Sequence, residues 1–417
     1  MNSDFLRVLT ERSFLYLWIG EILTQVSTHL LNFFLILIVF KLTQSNTAVS
    51  GIVISFTIPA ILFGSIAGAY VDRWEKKKVL VISNSIRGIL LIILAITMNN
   101  LFMVYFVSFV FSILVQFFIP AESPMIPKVV PEKLLLAANA LFGLAIFGSI
   151  LVAYILSGPL LLLLHPVKMS LFIALLLFIS AAVISLIKPH YKHQKPLSKE
   201  EKELNIFEDI RNTISLMSRT KEIFRSLFFL SLSQILILTL ATIAPGYSTQ
   251  VLKIPVEEFP LVFVAPAALG MVIGAIVIVN YLKNRNREKV ITIGVFLSGI
   301  AMILLPFGSQ VASQGLIHYL NLFLPDINTL HILGILAFLM GIANSFVFVP
   351  ANTLLQEKTP EELRGKIYGF MSSAIGILSL LPIIIVGGLS DLIGVGAVLT
   401  GIGGTLLLLG FIQVFTK

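Results

Sequence analysis

Ionisable side chains are rare inside the long apolar stretches of this sequence, and Glu21 is the first of them. A charge near the middle of a bilayer costs about 2.5–3.5 kcal/mol on insertion scales, so such a group is usually protonated, paired or turned toward a cavity. We predict that Glu21 couples proton movement to another process or lines a polar cavity. The alternative is a carboxyl group that is hydrogen-bonded to a neighbouring helix and has a structural role only.

Further polar residues follow Glu21 at helical spacing. Gln25, Thr28, His29 and Asn32 are separated by steps of three, four and seven residues. A helix places residues with these spacings on or near one face. We therefore predict that Gln25, His29 and Asn32 share a polar surface with Glu21.

Two more charged residues belong to apolar segments or their ends. Arg87 is the only cation clearly inside an apolar stretch, and its candidate carboxylate partners are Glu122 and Asp72. A long cation can also extend to the membrane surface. We predict an intramembrane ion pair of Arg87 with Glu122 rather than a role in substrate binding. Asp391, between the last two apolar segments, is predicted to be a helix cap.

The chain lacks the residue sets that enzymes and metalloproteins use. It contains no cysteine, which excludes disulfides and thiol chemistry. Its six histidines show no metal-ligand spacing, and no glycine-rich loop ends in Gly-Lys-Ser or Gly-Lys-Thr. The sequence therefore indicates a protein that is not an enzyme and uses no metal or cofactor.

The composition indicates an integral membrane protein. Of the 417 residues, 57% are hydrophobic and 12% are charged, and the mean hydropathy is +0.99. At about 20 residues per span, this length accommodates about a dozen transmembrane helices. We attribute the net charge of +8 to cationic loops that face anionic lipid, and not to nucleic acid binding.

Hydropathy predicts an all-α membrane protein with twelve transmembrane helices. Of the 29 lysines and arginines, 25 lie in tails and loops on the side of the N-terminus and three on the other side. Because cytoplasmic loops carry the excess of Lys and Arg, both termini are predicted to be cytoplasmic. The predicted spans are residues 13–40, 47–71, 79–98, 101–121, 134–164, 167–187, 223–251, 259–282, 290–308, 331–350, 366–389 and 391–415.

A long polar stretch divides the chain into two predicted lobes. We predict an N-terminal six-helix lobe at residues 1–187, a cytoplasmic linker with an amphipathic surface helix at 188–222, and a C-terminal six-helix lobe at 223–417. The sequence of residues 12–15 is echoed at 225–228, in the same direction relative to the membrane. This predicts a parallel pseudo-two-fold repeat, in which Gln234 corresponds to Glu21 and faces it from the other lobe.

A segment rich in glycine and charge ends the second predicted helix. Gly64 and Gly68 are one turn apart, a spacing that lets helices approach closely, and the charged residues that follow are Asp72, Arg73, Lys76 and Lys77. This pattern resembles the loop signature of the major facilitator superfamily, in which the aspartate and the basic residues latch the two halves together in one access state. An acidic residue at the position of Glu75, where the superfamily usually has glycine, is similar to the macrolide-efflux branch.

A second segment carries the same resemblance. Residues 350–369 resemble the loop between helices ten and eleven of the macrolide-efflux branch, and they include Pro350, Glu357, Arg364 and Gly365. We interpret the segment as a gate hinge and latch; the alternative is a tight loop. Its prolines are expected to end the helices at the cytoplasmic face.

The resemblance implies a secondary transporter that exports a bulky apolar compound (a macrolide, another drug or a siderophore-like molecule) by proton antiport with alternating access. The implied partners are the substrate, protons and membrane lipids, and the implied form is a monomer in a bacterial-type plasma membrane. One departure counts against coupling at Glu21: the branch commonly has an amide at that position and an aspartate near Thr28. Transport of lipid or lysolipid, and a membrane sensor or scaffold that does not transport, are the alternatives.

Overall fold

The computed structural model describes residues 2–188, 221–282, 285–308, 329–359 and 361–415, and this part of the chain is helical, with no β-strand. Apolar segments become helices because a backbone surrounded by lipid must satisfy its own hydrogen bonds. The α-helices, numbered in chain order, are α1 (Asn2–Thr10), α2 (Arg12–Thr43), α3 (Asn46–Arg73), α4 (Lys76–Thr97), α5 (Leu101–Glu122), α6 (Ile126–Val129), α7 (Leu135–Leu163), α8 (Pro166–Ser185), α9 (Lys221–Gly246), α10 (Ala265–Val277), α11 (Arg287–Leu304), α12 (Thr329–Lys358), α13 (Glu361–Ile393) and α14 (Val395–Phe415).

Eleven helical segments within the described residues are long and apolar enough to cross a membrane. The predicted span 290–308 corresponds to α11, which has 18 residues and begins with three charged ones. Its apolar part is therefore short, although a 3-10 turn at Leu305–Gly308 extends it. The prediction of a multi-pass, all-helical protein is confirmed, and the twelfth crossing stays a prediction.

Two spans of the second half contain π-helical turns. Tyr247–Leu252 extends α9, and Pro260–Val264 and Ile278–Leu282 flank α10. The resulting spans are Lys221–Leu252 and Val256–Leu282, close to the predicted 223–251 and 259–282. Prolines and π-turns are the usual sites of bends in membrane helices.

Local sequence signals set several helix ends. The Asn100 side chain accepts a hydrogen bond from the Met103 backbone N–H at 3.3 Å and begins α5, and Asn286 caps α11 through the N–H of Glu288 at 2.9 Å. Gly394, at φ +86°, separates α13 from α14, because a residue with a side chain is strained in this left-handed conformation.

The chain forms two compact units. The first comprises Met1–Ile38 and Ile54–Asp209, and its buried apolar core includes Phe14, Leu80 and Phe118. A helix can belong to both units, since α2 and α3 each contribute residues to the second one. The predicted boundaries at 1–187, 188–222 and 223–417 stay a prediction, and the amphipathic helix expected at 188–222 lies outside the described residues.

The second unit comprises Val39–Val53 and Ile210–Lys417. One buried cluster in it contains Tyr247, Phe259 and Phe263, whose rings stack or meet edge to face. Helices α10 and α12 of this unit approach closely: a Cβ atom on Gly341 would lie 1.9 Å from the carbonyl oxygen of Ala267. Glycine at this crossing therefore allows backbone contact between the two helices.

Candidate functional site

A buried polar cluster in the first unit begins with Glu21 on α2. The Glu21 side chain is fully buried, and its Oε1 accepts a hydrogen bond from Gln25 Nε2 at 2.7 Å. One helical turn separates the two residues, so the predicted shared face brings them together. Glu21 Oε2 is buried without a hydrogen-bond partner in the described part of the chain. The carboxyl group therefore has one satisfied and one free oxygen.

Arg87 of α4 supplies the positive charge of this cluster. Its guanidinium donates to Asn84 Oδ1 at 3.0 Å and to Thr28 Oγ1 at 2.5 Å. The guanidinium also lies 4.2 Å from the centre of the Phe111 ring, a cation–π arrangement. Arg87 is 1% exposed, so it does not extend into water. Both of these hydrogen-bond partners are neutral, so neither of them balances the positive charge of Arg87.

Glu122, the last residue of α5, completes the set of charges. It is 5% exposed, and its Oε1 is a buried oxygen without a hydrogen-bond partner in the described part of the chain. Arg87 interacts electrostatically with both carboxyl groups. No nitrogen of Arg87 lies within 4 Å of a carboxylate oxygen among the described residues, so the direct ion pair of Arg87 with Glu122 stays a prediction. Glu21, Arg87 and Glu122 are three buried ionisable residues on three different helices of the first unit, α2, α4 and α5.

Hydroxyl and amide groups support the cluster from one side. Asn84 Nδ2 donates to Thr24 Oγ1 at 2.8 Å and to Ser180 Oγ at 3.0 Å, and Ser180 Oγ donates to the Gly20 carbonyl at 2.8 Å. These contacts fix the Asn84 amide so that its Oδ1 faces Arg87. Thr24, Asn84 and Ser180 were not among the predicted site residues. Spacing could have found the first two, since each lies three residues from a charged member of the cluster.

Three further residues were predicted to line the cavity. The His29 ring is half-buried, with its centre 5.9 Å from that of Tyr154 on α7. Asn32 is half-buried on α2. Gln234 is half-buried on α9 in the second unit. Their participation in a common cavity stays a prediction.

The glycine- and charge-rich segment forms the end of α3 and the start of α4. Gly64 and Gly68 lie on α3, which ends after Asp72 at Arg73. The side chains of Asp72 and Arg73 lie outside the described part of the chain. The role of these two residues as a latch therefore stays a prediction. Lys76 Nζ donates to the Val71 carbonyl at 2.9 Å. This lysine therefore helps to close the C-terminus of α3. Lys77 is half-buried in the first turn of α4.

In the second unit, the expectation that Pro350 ends its helix is wrong. Pro350 is a buried residue inside α12, which continues to Lys358. Neighbouring groups in a membrane protein can compensate for the one missing N–H, so a proline is tolerated inside such helices. Glu357 is thus in the last turn of α12, where it accepts two hydrogen bonds from Arg287. Arg364 and Gly365 belong to the first turns of α13, and their surroundings lie outside the described part.

The described residues were also compared with the requirements of a metal site. No group of three or more His, Asp or Glu side chains that could hold a metal ion occurs among the described residues. Two carboxyl groups and one guanidinium, all buried within helices long enough to span a membrane, can change their net charge only by gaining or losing a proton.

The sequence matches the family model described as Major Facilitator Superfamily over residues 17–381. This chain belongs to the major facilitator superfamily. Macrolide efflux protein A of Streptococcus pyogenes is 23% identical to it over 389 residues, which cover 92% of this chain and 90% of that protein. The uncharacterized MFS-type transporter YfiS of Bacillus subtilis (strain 168) is 23% identical over 396 residues, which cover 92% and 88%.

Solved transporter structures have the same fold. The nucleoside transporter NupG superposes with a TM-score of 0.73 at 14% identity, covering 96% of this chain and 98% of that chain. The POT family transporter PepTSo gives a TM-score of 0.69 at 14% identity, covering 97% of each chain. The protein is therefore a multi-pass membrane transporter of the superfamily and not an enzyme, as the sequence indicated.

Proposed function

We propose that this transporter exports a bulky, mostly apolar compound by proton antiport. The observation that carries the proposal is the fully buried Glu21 carboxyl in a membrane span, whose Oε2 has no hydrogen-bond partner in the described part of the chain. Buried ionisable groups within membrane spans are costly, and they typically mark ion or substrate pathways. The similarity to a protein described as a macrolide efflux protein supports the export direction and an apolar substrate class.

The low charge content also favours an apolar substrate. Only 12% of the residues are charged, and a site for sugar acids or phosphate esters would need several cationic or polar anchors. Arg87 is not free for that role, because its guanidinium is hydrogen-bonded to Asn84 and Thr28 and faces Phe111. The substrate is therefore expected to bind mainly through apolar and aromatic contacts.

The proposed architecture has twelve spans, with α11 as the ninth, in two six-helix lobes related by a parallel pseudo-two-fold axis. Alternating access rocks the lobes about a site near the bilayer midplane. Asp72 and the segment from Pro350 to Gly365 act at the cytoplasmic gate, and Gln234 faces Glu21 across the cavity. The protein works as a monomer in a bacterial-type plasma membrane with both termini in the cytoplasm, in contact with membrane lipids.

Accumulation of a labelled macrolide in a macrolide-sensitive bacterium tests this function. Cells that express the protein are expected to retain less label than control cells, and a protonophore is expected to abolish the difference. Glu21→Gln and Asp72→Asn should raise retention to the control level. The matched control is Glu132→Gln, because Glu132 is an exposed carboxylate of the same unit. If cells that express the wild-type protein retain as much label as control cells do, export of this compound class is contradicted.

A lipid substrate is the second candidate within transport. Its apolar chains suit the same sparsely charged cavity, so a labelled lysolipid should be measured in the same cells. Movement of the lysolipid without any movement of the macrolide would replace the proposed substrate class. A sensor or scaffold would move neither compound, and Glu21→Gln and Asp72→Asn would leave its function unchanged.

A further inference from the structure

We propose that the corner between α2 and α3, residues 39–53, is a latch that is docked in this structure and is released once in every transport cycle. The corner belongs to the second unit, whereas the rest of α2 and α3 belongs to the first. In the proposed topology the corner lies at the outer face of the membrane. Its docking stands on contacts within the second unit, and its release rests on the proposed alternating access.

The outer layer of the docking consists of hydrogen bonds and one ion pair. Asp391 at the end of α13 accepts five hydrogen bonds of 2.6 to 2.9 Å from residues 45–47 of the corner. Lys41 of the corner forms an ion pair with Glu257. Asp391 and Lys41 are both exposed, so water can replace their partners when the corner leaves. The net free-energy cost of breaking these contacts is therefore small.

A second layer fits the corner against two glycines. Asn46 is fully buried, and a Cβ atom on Gly246, the last residue of α9, would lie 2.3 Å from its Oδ1. A Cβ atom on Gly387 of α13 would lie 1.9 Å from Ser50 Oγ, which also donates a hydrogen bond to the Ile383 carbonyl at 2.9 Å. The corner therefore has one well-defined docked position against α9 and α13.

The tip of the corner, residues 41–47, has a sequence that suits both the docked and the released state. It reads Lys-Leu-Thr-Gln-Ser-Asn-Thr, with a single apolar side chain. That side chain, Leu42, is already 43% exposed. Release of the tip thus transfers mainly hydroxyl, amide and charged groups to water, and no hydrophobic burial opposes it.

Helix α2 is a stiff connection between the first unit and the corner. Between Glu21 and its end at Thr43, α2 is a continuous α-helix with no glycine or proline. Sharp kinks occur almost always at proline, at Gly/Ser pairs or at π-bulges. Only Gln44 and Ser45 separate α2 from α3. When the first unit moves, α2 therefore carries the corner along and pulls it away from α13.

Cysteine labelling tests the docking without any transport, because the chain contains no cysteine of its own. Ser50 is 2% exposed, so the Ser50→Cys thiol should react slowly with a small charged thiol reagent added to proteoliposomes. Adding Asp391→Ala, which removes five hydrogen bonds, should raise that rate several-fold. The matched control is Ser345→Cys on α12, which is also 2% exposed and should keep its rate. An unchanged rate at position 50 would overturn the docking.

A disulfide tests the release. A Cβ atom on Gly387 would lie 3.1 Å from Ser50 Cβ, close to the separation of about 3.5–4.5 Å in disulfides. An added oxidant should therefore crosslink the pair Ser50→Cys/Gly387→Cys. The crosslink should abolish the flux of a labelled macrolide driven by a pH gradient, and a reductant should restore it.

The matched control pair is Gly274→Cys/Ser345→Cys at the crossing of α10 and α12. A Cβ atom on Gly274 would lie 2.8 Å from Ser345 Cβ, so this pair should also crosslink. Both residues belong to the second unit and lie outside the corner, so its crosslink should leave the flux unchanged.

The outcomes separate the latch from the proposed function. Undiminished flux in the crosslinked Ser50→Cys/Gly387→Cys protein would overturn the release. If that pair does not fold, the labelling rate of Ser50→Cys replaces it: the rate should rise several-fold during gradient-driven flux, and a constant rate in protein that transports would overturn the release. Absence of flux from the wild type would overturn the proposed function, while the effect of Asp391→Ala on labelling still decides whether the corner is docked.

Discussion

Asp391 at the end of α13 accepts two hydrogen bonds from Asn46, the first residue of α3. The Asn46 backbone N–H and side-chain Nδ2 lie 2.8 and 2.9 Å from Asp391 Oδ1. The other oxygen, Oδ2, accepts from the Thr47 backbone N–H at 2.9 Å and from the Thr47 and Ser45 hydroxyls at 2.7 and 2.6 Å. Asp391 was predicted to be a helix cap, and it caps a helix that is far away in sequence. A carboxylate at a helix N-terminus satisfies free N–H groups and interacts favourably with the helix dipole.

Removal of this cap should lower stability measurably. Asp391→Ala leaves the N–H groups of Asn46 and Thr47 without an acceptor, at a cost of about 1–3 kcal/mol. Asp391→Asn should cost less, because an amide keeps one acceptor oxygen. Thermal melting in detergent checks the expected order of melting temperatures, in which the wild type is highest, Asp391→Asn is lower and Asp391→Ala is lowest. Melting of Asp391→Ala at the wild-type temperature would contradict the capping role.

Two adjacent glycines on α13 should respond in opposite ways to alanine. A Cβ atom on Gly387 would lie 1.9 Å from Ser50 Oγ and 2.8 Å from the Asn46 carbonyl oxygen. Gly387→Ala is therefore expected to destabilise the protein by about 1–3 kcal/mol through overpacking. Gly388 has no atom within 4 Å of its Cβ position, so Gly388→Ala should be neutral or slightly stabilising through helix propensity. Melting curves of the two variants check this expectation. Equal melting temperatures would contradict the close packing of Gly387 against Ser50 and Asn46.

Charge balance at the buried cluster predicts a rescue. Arg87→Met removes the buried cation of α4, and leaving a buried charge without its partner in this way costs about 3–5 kcal/mol. Adding Glu122→Gln removes one of the two carboxyls, so the double variant should be more stable than Arg87→Met alone. The measurement is a double-mutant cycle of unfolding free energies. Strictly additive losses would mean that Arg87 and Glu122 do not interact.

The ion pair of Arg287 with Glu357 should matter little and should depend on pH. The hydrogen bond from Arg287 holds the pKa of the Glu357 carboxyl below its ordinary value. A lowered folded-state pKa stabilises the protein above the unfolded pKa, and this contribution is lost as the pH falls through the folded value. Since the Glu357 side chain is 51% exposed, the pair is worth at most about 1 kcal/mol.

Melting of Arg287→Ala against the wild type tests this expectation. The difference should be small at neutral pH and should shrink further at acid pH or high salt. A large difference that persists in acid would show that Arg287 stabilises the protein by another contact.

Much of the helical framework could be predicted because membrane helices are long and apolar. The predicted segments 101–121 and 134–164 match α5 and α7 to within a few residues. The predicted span 366–389 ends earlier than α13, which continues through Asp391 to Ile393. The break lies at Gly394, whose φ of +86° is what a helix C-terminus commonly needs.

The site was only partly predictable, for a different physical reason. Glu21 and Gln25 share one helix, so a single periodicity places them together. The contact of Thr28 with Arg87 joins α2 to α4, and no local pattern specifies which helices pack together. Pro350 shows the same limit, because the groups that allow a proline inside α12 come from neighbouring elements rather than from its own sequence.

The most direct test of proton-coupled export is flux of a labelled macrolide in proteoliposomes under an imposed pH gradient. We expect gradient-driven flux in the wild type and in Glu132→Gln, and none in a Glu21→Gln variant that folds normally. Gradient-driven flux that persists in Glu21→Gln would contradict coupling at this site. Absence of flux from correctly inserted wild-type protein would contradict proton-driven export of this compound.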